Sequence, residues 1–156
     1  LPLLQEYGER FDDSTPLDTK VQLCELLLAS GDHATAVKLL KPMCEVTPET
    51  DASYITILRL LAVGYFANNQ INKGASVSRK VLKNDSKCLS SIHNLALASL
   101  TNQRYRSAWG WVNRGLAIDG YDDELRRLKE ELRASLSKAE IMNDKTMLDK
   151  TQKIIE

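Results

Sequence analysis

Residues 89–122 read LSSIHNLALASLTNQRYRSAWGWVNRGLAIDGYD, and their spacing predicts two short helices folded back on each other. Leu95, Ala96 and Ser99 mark one face of the first helix. Tyr105, Ala108, Val112 and Gly115 mark one face of the second, with Asn102-Gln103-Arg104 as the turn between them. The i, i+3, i+4 and i+7 spacings are helical, and small residues at the facing positions let two helix axes approach closely. A 34-residue unit cannot cover its own apolar face, so the stretch requires neighbours of the same kind.

Those neighbours lie upstream. A shift of 34 residues brings Leu61, Ala62 and Tyr65 onto Leu95, Ala96 and Ser99, and Gly74, Ser78 and Val81 onto Ala108, Val112 and Gly115. A further shift of 38 brings Leu23, Cys24 and Leu27 into the first set, and Ala36, Leu40 and Met43 into the second. Pro48, Ser86 and Gly120 close the three units at one common position.

A 34-residue helix–turn–helix period with this pattern resembles the tetratricopeptide repeat (TPR) family. That family's signature is Trp, Leu, Gly/Ala and Tyr in the first helix, then Ala, Phe, Ala and Pro in the second. This chain keeps the Leu and the small residue three times, the Tyr once, the small residue opening the second helix three times and the closing Pro once. Lys20, Leu58 and Ile92 stand in place of the Trp, and no unit has the second-helix Phe. The resemblance implies an all-α fold: a right-handed superhelical array of three repeats plus a C-terminal capping helix. The expected boundaries are a short N-terminal helix over 1–16, repeats over 17–50, 55–88 and 89–122, a capping helix over 123–140, and a weakly structured tail or extra helix over 141–156.

Taken in order, Leu4, Tyr7 and Phe11 have the spacing of one short helix. Thr15 is placed to cap the first repeat, with Pro16 in its first turn and Asp18 adding negative charge at the positive helix end. Pro42 lies inside a predicted helix and should kink it near Lys38, at a cost of ~3 kcal/mol without compensation. Residues 51–54 are an insertion of about one helical turn, which can lengthen the next helix without rotating its faces. After Asp122-Asp123-Glu124, a stripe of Leu125, Leu128, Leu132 and Leu136 predicts the capping helix, with i, i+4 ion pairs Asp122–Arg126, Arg126–Glu130 and Arg127–Glu131 on its outer face. Met147, Leu148, Thr151, Ile154 and Ile155 offer one further weak amphipathic segment.

Catalytic chemistry has no foothold. His33, read as an exposed turn residue, and His93, read on a first helix, have no Cys or carboxylate at ligand spacing beside them. Gly110-Trp-Val-Asn-Arg-Gly115 imitates the start of a phosphate loop but continues Leu-Ala, and close helix packing accounts better for both glycines. Asn84-Asp-Ser86 is a sequon, read as accidental. The expectation is a non-enzyme with no cofactor and no metal. Lys+Arg and Asp+Glu each number 21, so no basic excess points to nucleic acid. The longest apolar run, Ile55 to Phe66, contains Arg59 and is too short to span a bilayer, so no membrane insertion is expected. Cys24, Cys44 and Cys88 are odd in number and far apart, which suits reduced thiols. The start Leu-Pro-Leu-Leu-Gln-Glu lacks the features of a signal peptide, which makes the expected location cytoplasmic; it also lacks Met, so a fragment of a longer chain is expected.

In TPR arrays the first helices line the concave side, and the resemblance carries that role to Val21, Glu25, Leu28, Arg59, Val63, Phe66, His93, Leu97 and Leu100. These nine form the expected partner-binding groove, a mainly apolar strip with Arg59, Glu25 and His93 among it, suited to an apolar helix or extended peptide. Trp109, beneath the capping helix, and Trp111, partly exposed, are second candidates. The carboxylate clamp of Hsp70/Hsp90 co-chaperones needs a Lys, Asn and Arg set. The corresponding residues are Val21, Glu25, Leu60, Ser90 and Asn94 in one register, and Arg59, Val63, Asn94, Glu124 and Leu128 in the other. Neither supplies the cations, so the acidic C-terminal peptide of Hsp70/Hsp90 is not the expected ligand. The expected function is a protein–protein interaction module of a larger scaffold or adaptor; the alternative is a stand-alone chaperone resembling those of type III secretion translocators.

Overall fold

The computed structural model describes residues 15–137. The predicted N-terminal helix around Leu4, Tyr7 and Phe11, and the segment from Met147 to Ile155, lie outside the described residues. Among the described residues all regular structure is helical. The helices are α1 (Leu17–Ala29), α2 (His33–Val46), α3 (Ala52–Ala67), α4 (Ile71–Asn84), α5 (Leu89–Thr101) and α6 (Tyr105–Ile118), followed by α7 over 123–137. The fold is an all-α helical repeat array. It divides into two compact units, with the division between Asn94 and Leu95 inside α5.

The repeat seen in the sequence recurs at the level of single hydrogen bonds. Ala29, Ala67 and Thr101 end the first helices at one repeat position, and α2, α4 and α6 start and stop in register under the same shifts. Each first helix closes the same way. Asp32, Gln70 and Arg104 N–H donate to the carbonyls of Leu27, Tyr65 and Ser99 at 2.9, 2.8 and 2.8 Å, and the residue before each has positive φ. Those residues are Gly31 (φ 90), Asn69 (φ 60) and Gln103 (φ 58). This six-to-one bond over a left-handed residue reverses the chain and satisfies carbonyls that the helix end would orphan.

The pattern's facing positions form the core. Leu23, Cys24, Leu27, Ala36, Leu40 and Met43, and their counterparts in the next two units, are all buried. In the first unit α1 packs on α2 and α3, α2 on α3, and α3 on α4. The close approach is visible at Gly64 in α3: a Cβ there would lie 2.6 Å from Val37 Cγ2 of α2 and 3.6 Å from Leu28 Cδ2 of α1. The insertion acts as expected, since α3 has 16 residues where α1 and α5 have 13, with the extra turn at its start capped by Asp51 accepting from Ser53 N–H at 2.9 Å. In the second unit Leu125, Leu128 and Leu132 of α7 are buried, and Asp122 caps that helix by accepting from Leu125 N–H at 2.9 Å.

Several local expectations need correction. The cap position of α1 is Pro16 itself, not Thr15; Asp18 is in the first turn as expected. His33 is not a turn residue but opens α2, half-buried, after Asp32 caps the helix by accepting from Thr35 N–H at 3.3 Å. Pro42 lies inside α2 as expected, and the helix continues through it to Val46. Gly110 lies in α6 with nothing within 4 Å of a Cβ built on it, so close packing does not explain it, whereas Gly115 is buried. On α7 Arg133 Nε lies 3.6 Å from Glu130 Oε1, an i, i+3 pair outside the expected i, i+4 set.

Candidate functional site

Three first helices bound a cleft in the first unit. Glu25 of α1, then Thr56, Arg59, Leu60, Ala62 and Val63 of α3, and Ser90, Ser91 and Asn94 at the start of α5 line about 420 Å³. The α3 residues stand at helical spacing, so one stripe of that helix forms the cleft wall while Ile57, Leu58 and Leu61 face the core. Glu25 and Arg59 are both exposed, and neither makes an ion pair among the described residues. Their charges are therefore open to a ligand. Val63, 48% exposed, supplies an apolar patch between them.

Of the nine expected groove residues, Glu25, Arg59 and Val63 line this cleft. Val21 and His93 are half-buried elsewhere in the same unit. Leu28 and Phe66 are half-buried and spend contact area on packing: Leu28 reaches toward Gly64, and the Phe66 ring lies over Gly74, 2.9 Å from where a Cβ would be. Leu97, 40% exposed, and half-buried Leu100 belong to the second unit and are described there alone. Leu28, Phe66 and Leu100 share one repeat position, always apolar and always half-buried. Sequence reasoning left Leu60, Ser91 and Asn94 out of its groove; Leu60 and Asn94 share the repeat position next to Arg59 and His93, which was the available signal.

Beside the cleft, Cys88 precedes α5 and is buried. Its Sγ lies 3.3 Å from Ser90 Oγ and accepts from Ser91 Oγ at 3.4 Å. Burial pushes this thiol up, but the hydrogen bonds from Ser90 and Ser91 and the charge of Arg59 outweigh it and hold the pKa below the ordinary cysteine value. The other two thiols go the opposite way. Burial, then Glu25, pushes Cys24 up to about 12. Burial, partly offset by Lys80, pushes Cys44 up to about 11. All three cysteines are free.

In the second unit, Trp109 is half-buried beneath α7, with Lys129 Nζ 5.4 Å above its ring centroid, as the sequence suggested. Trp111 is half-buried with the Arg114 guanidinium 5.3 Å from its ring. Among the described residues no cluster of His, Cys, Asp or Glu could hold a metal, and no helix is long and apolar enough to cross a membrane.

Comparison with solved structures identifies the fold as that of TPR domains. The Sgt2 TPR domain from Aspergillus fumigatus aligns with a TM-score of 0.67 at 21% identity, covering 81% of this chain and 83% of that one. The first TPR of Spaghetti (RPAP3), bound to the HSP90 peptide SRMEEVD, aligns at 0.64 with 12% identity over 87% and 92% of the two chains. The nearly identical TPR-like repeats of a Podospora anserina kinesin light chain align at 0.59 with 21% identity over 86% and 72%. No protein-family model matches the sequence, and no curated protein does.

Proposed function

We propose that the chain is a non-catalytic protein-interaction module and that its first unit binds an apolar helix or extended peptide of a partner through the cleft around Arg59. The observation that carries this is the cleft itself, an apolar floor at Val63 and Leu60 flanked by an acid and a guanidinium that are not paired with each other. Desolvating Val63 supplies affinity, and Arg59 and Glu25 orient the ligand by charge. The RPAP3 domain, of like fold, binds a peptide. The role of adaptor within a larger protein, at a cytoplasmic location, belongs to the same reading.

The ligand is not held by its terminal carboxylate. That chemistry requires converging cations, and the cleft offers Arg59 opposite Glu25, with Ser90 and Asn94 as neutral neighbours.

The test is co-purification of partners on wild-type protein, Val63→Glu and Arg59→Glu, each checked for an unchanged circular dichroism spectrum. Both side chains are exposed, so folding should be preserved. A partner retained by wild type and lost by both variants supports the cleft, and its identity separates an adaptor from a chaperone for a secreted translocator. Equal retention by all three refutes it. A bound partner peptide should also bind equally well as its C-terminal amide.

A further inference from the structure

The seam between α6 and α7 in the second unit carries a second feature, separate from the cleft above. Two surface clefts of about 470 and 580 Å³ share Arg133 as a lining residue. Arg126 and Lys129 line the first, and Arg106, Trp109 and Leu136 line the second. Glu130 is the one acid in either lining, and it is already engaged by Arg133 at 3.6 Å. Arg106 and Arg126 are exposed and make no ion pair among the described residues. In a chain whose 21 basic and 21 acidic residues balance, this is a local excess of cation on one seam.

We infer that this seam is a docking site for an acidic, extended polypeptide segment of a partner, whose carboxylates pair with Arg106, Arg126 and Arg133 while an apolar side chain settles against Trp109 and Leu136. Guanidinium groups suit carboxylates because their donors form a planar fork that binds both oxygens. Arg126, Lys129 and Arg133 fall at i, i+3 and i+7 of α7, one face about 10 Å long at 1.5 Å per residue. An extended segment covers that length in about three residues at ~3.3 Å each, so acids three apart reach both ends. Nucleic acid fits less well. A stacked base needs a whole ring face, and Lys129 already lies over that of Trp109, whereas an aliphatic side chain needs only the part of the ring beside Leu136.

The test is fluorescence anisotropy of a labelled, N-acetylated and C-amidated peptide with glutamates three residues apart and leucines between them, titrated with the intact chain. Binding should weaken at least ~10-fold between low and high salt, as charge-dependent docking does. Arg106→Glu with Arg126→Glu should weaken it at least ~10-fold, since each charge reversal replaces attraction with repulsion. Arg106→Gln with Arg126→Gln should give a smaller loss, and Arg79→Glu at an exposed position of the other unit should leave binding unchanged. Absent binding, including absence because the chain's own residues 138–156 fill the seam, overturns the proposal. So does tighter binding of a single-stranded oligonucleotide than of the peptide, or equal binding by the charge-reversed variant.

Discussion

Gly74 and Gly110 lie inside α4 and α6, and converting each to Ala is the same chemical change with opposite expected results. In a helix interior Gly→Ala gains about 0.5–1 kcal/mol, because Ala loses less backbone freedom on folding. At Gly110 nothing lies within 4 Å of the new Cβ, so the whole gain should appear. At Gly74 the Cβ would sit 2.9 Å from Phe66 Cδ2, Cε1 and Cε2. Relaxed carbon–carbon contacts are about 3.5–4 Å, so the ring must retreat by about 0.6–1 Å. The ring cannot bend away by one flexible end, since three of its atoms are met at once. Overpacking of that kind costs about 1–3 kcal/mol, which exceeds the helix gain and leaves Gly74→Ala destabilising by up to ~2 kcal/mol. Urea unfolding reads both, with a slope of ~1–3 kcal/mol per molar turning each kcal/mol into a midpoint shift of about 0.3–1 M. Trp109 and Trp111 both lie in the second unit, so tryptophan emission follows Gly110→Ala, while circular dichroism follows both variants. In a Phe66→Leu background, Gly74→Ala should become neutral or stabilising, a coupling of at least ~1 kcal/mol. If Gly74→Ala stabilises as much as Gly110→Ala, Phe66 is not seated on α4 and its half-buried position has another cause.

Two further outcomes follow from the turns and the buried thiols. Gln103 holds φ 58 where Gly31 holds φ 90 at the same repeat position, so Gln103→Gly should raise the thermal midpoint, a gain of about 0.5–1 kcal/mol, and Gly31→Ala should lower it. Cys24 is a thiol raised from 9.0 to about 12; it stays protonated in the fold where the unfolded chain ionises, so its stability contribution is full below pH 9 and is lost as pH rises through that window. At pH 10.5 that loss is about 2 kcal/mol relative to pH 8, and urea midpoints for Cys24→Ala should fall less over the same interval than those of wild type.

The parts of the fold that were legible in the sequence are those set by backbone geometry. A helix fixes which residues share a face, so Leu23, Leu61 and Leu95, or Ala36, Gly74 and Ala108, could be assigned to the core from spacing alone. The turn at Gly31 could be read as well, because glycine advertises a left-handed backbone. At its counterpart the turn Asn102-Gln103-Arg104 was legible from the spacing, but the left-handed backbone at Gln103 was not, since glutamine carries no such preference and the helix pair on either side imposes it. The cleft was half legible. Arg59, Val63 and Glu25 followed from the resemblance, but Asn94 and Ser91 join them only through the way the start of α5 lies against α3, and no helical period encodes that. Gly110 was misread because a glycine in a helix suggests a close neighbour, and only coordinates show that none is there.

The three units also separate what the fold requires from what it leaves open. At core positions the residues stay buried and small or medium in size, with Ser78 the one polar member: Leu23, Leu61 and Leu95; Cys24, Ala62 and Ala96; Leu40, Ser78 and Val112. Leu28, Phe66 and Leu100 are still apolar and still half-buried, as positions that share in the packing require. At the two adjoining exposed or half-exposed positions the class is lost. One holds Val21, Arg59 and His93; the other holds Glu25, Val63 and Leu97. Because α1, α3 and α5 end in register and close with the same hydrogen bonds, the backbone places these side chains equivalently, and nothing in helix formation or packing requires a cation in one unit and an aliphatic in the next. A position that the fold does not constrain, yet which is charged beside an uncovered valine in the wall of the cleft, is where a ligand can be selected. For that reason a repeat-by-repeat exchange is the sharpest assay of the cleft: Arg59→Val, which copies the residue of the first unit, should leave the unfolding midpoint within ~0.5 kcal/mol of wild type while partner retention falls. A stability loss well beyond that would mean Arg59 serves the fold, and the binding role would go with it.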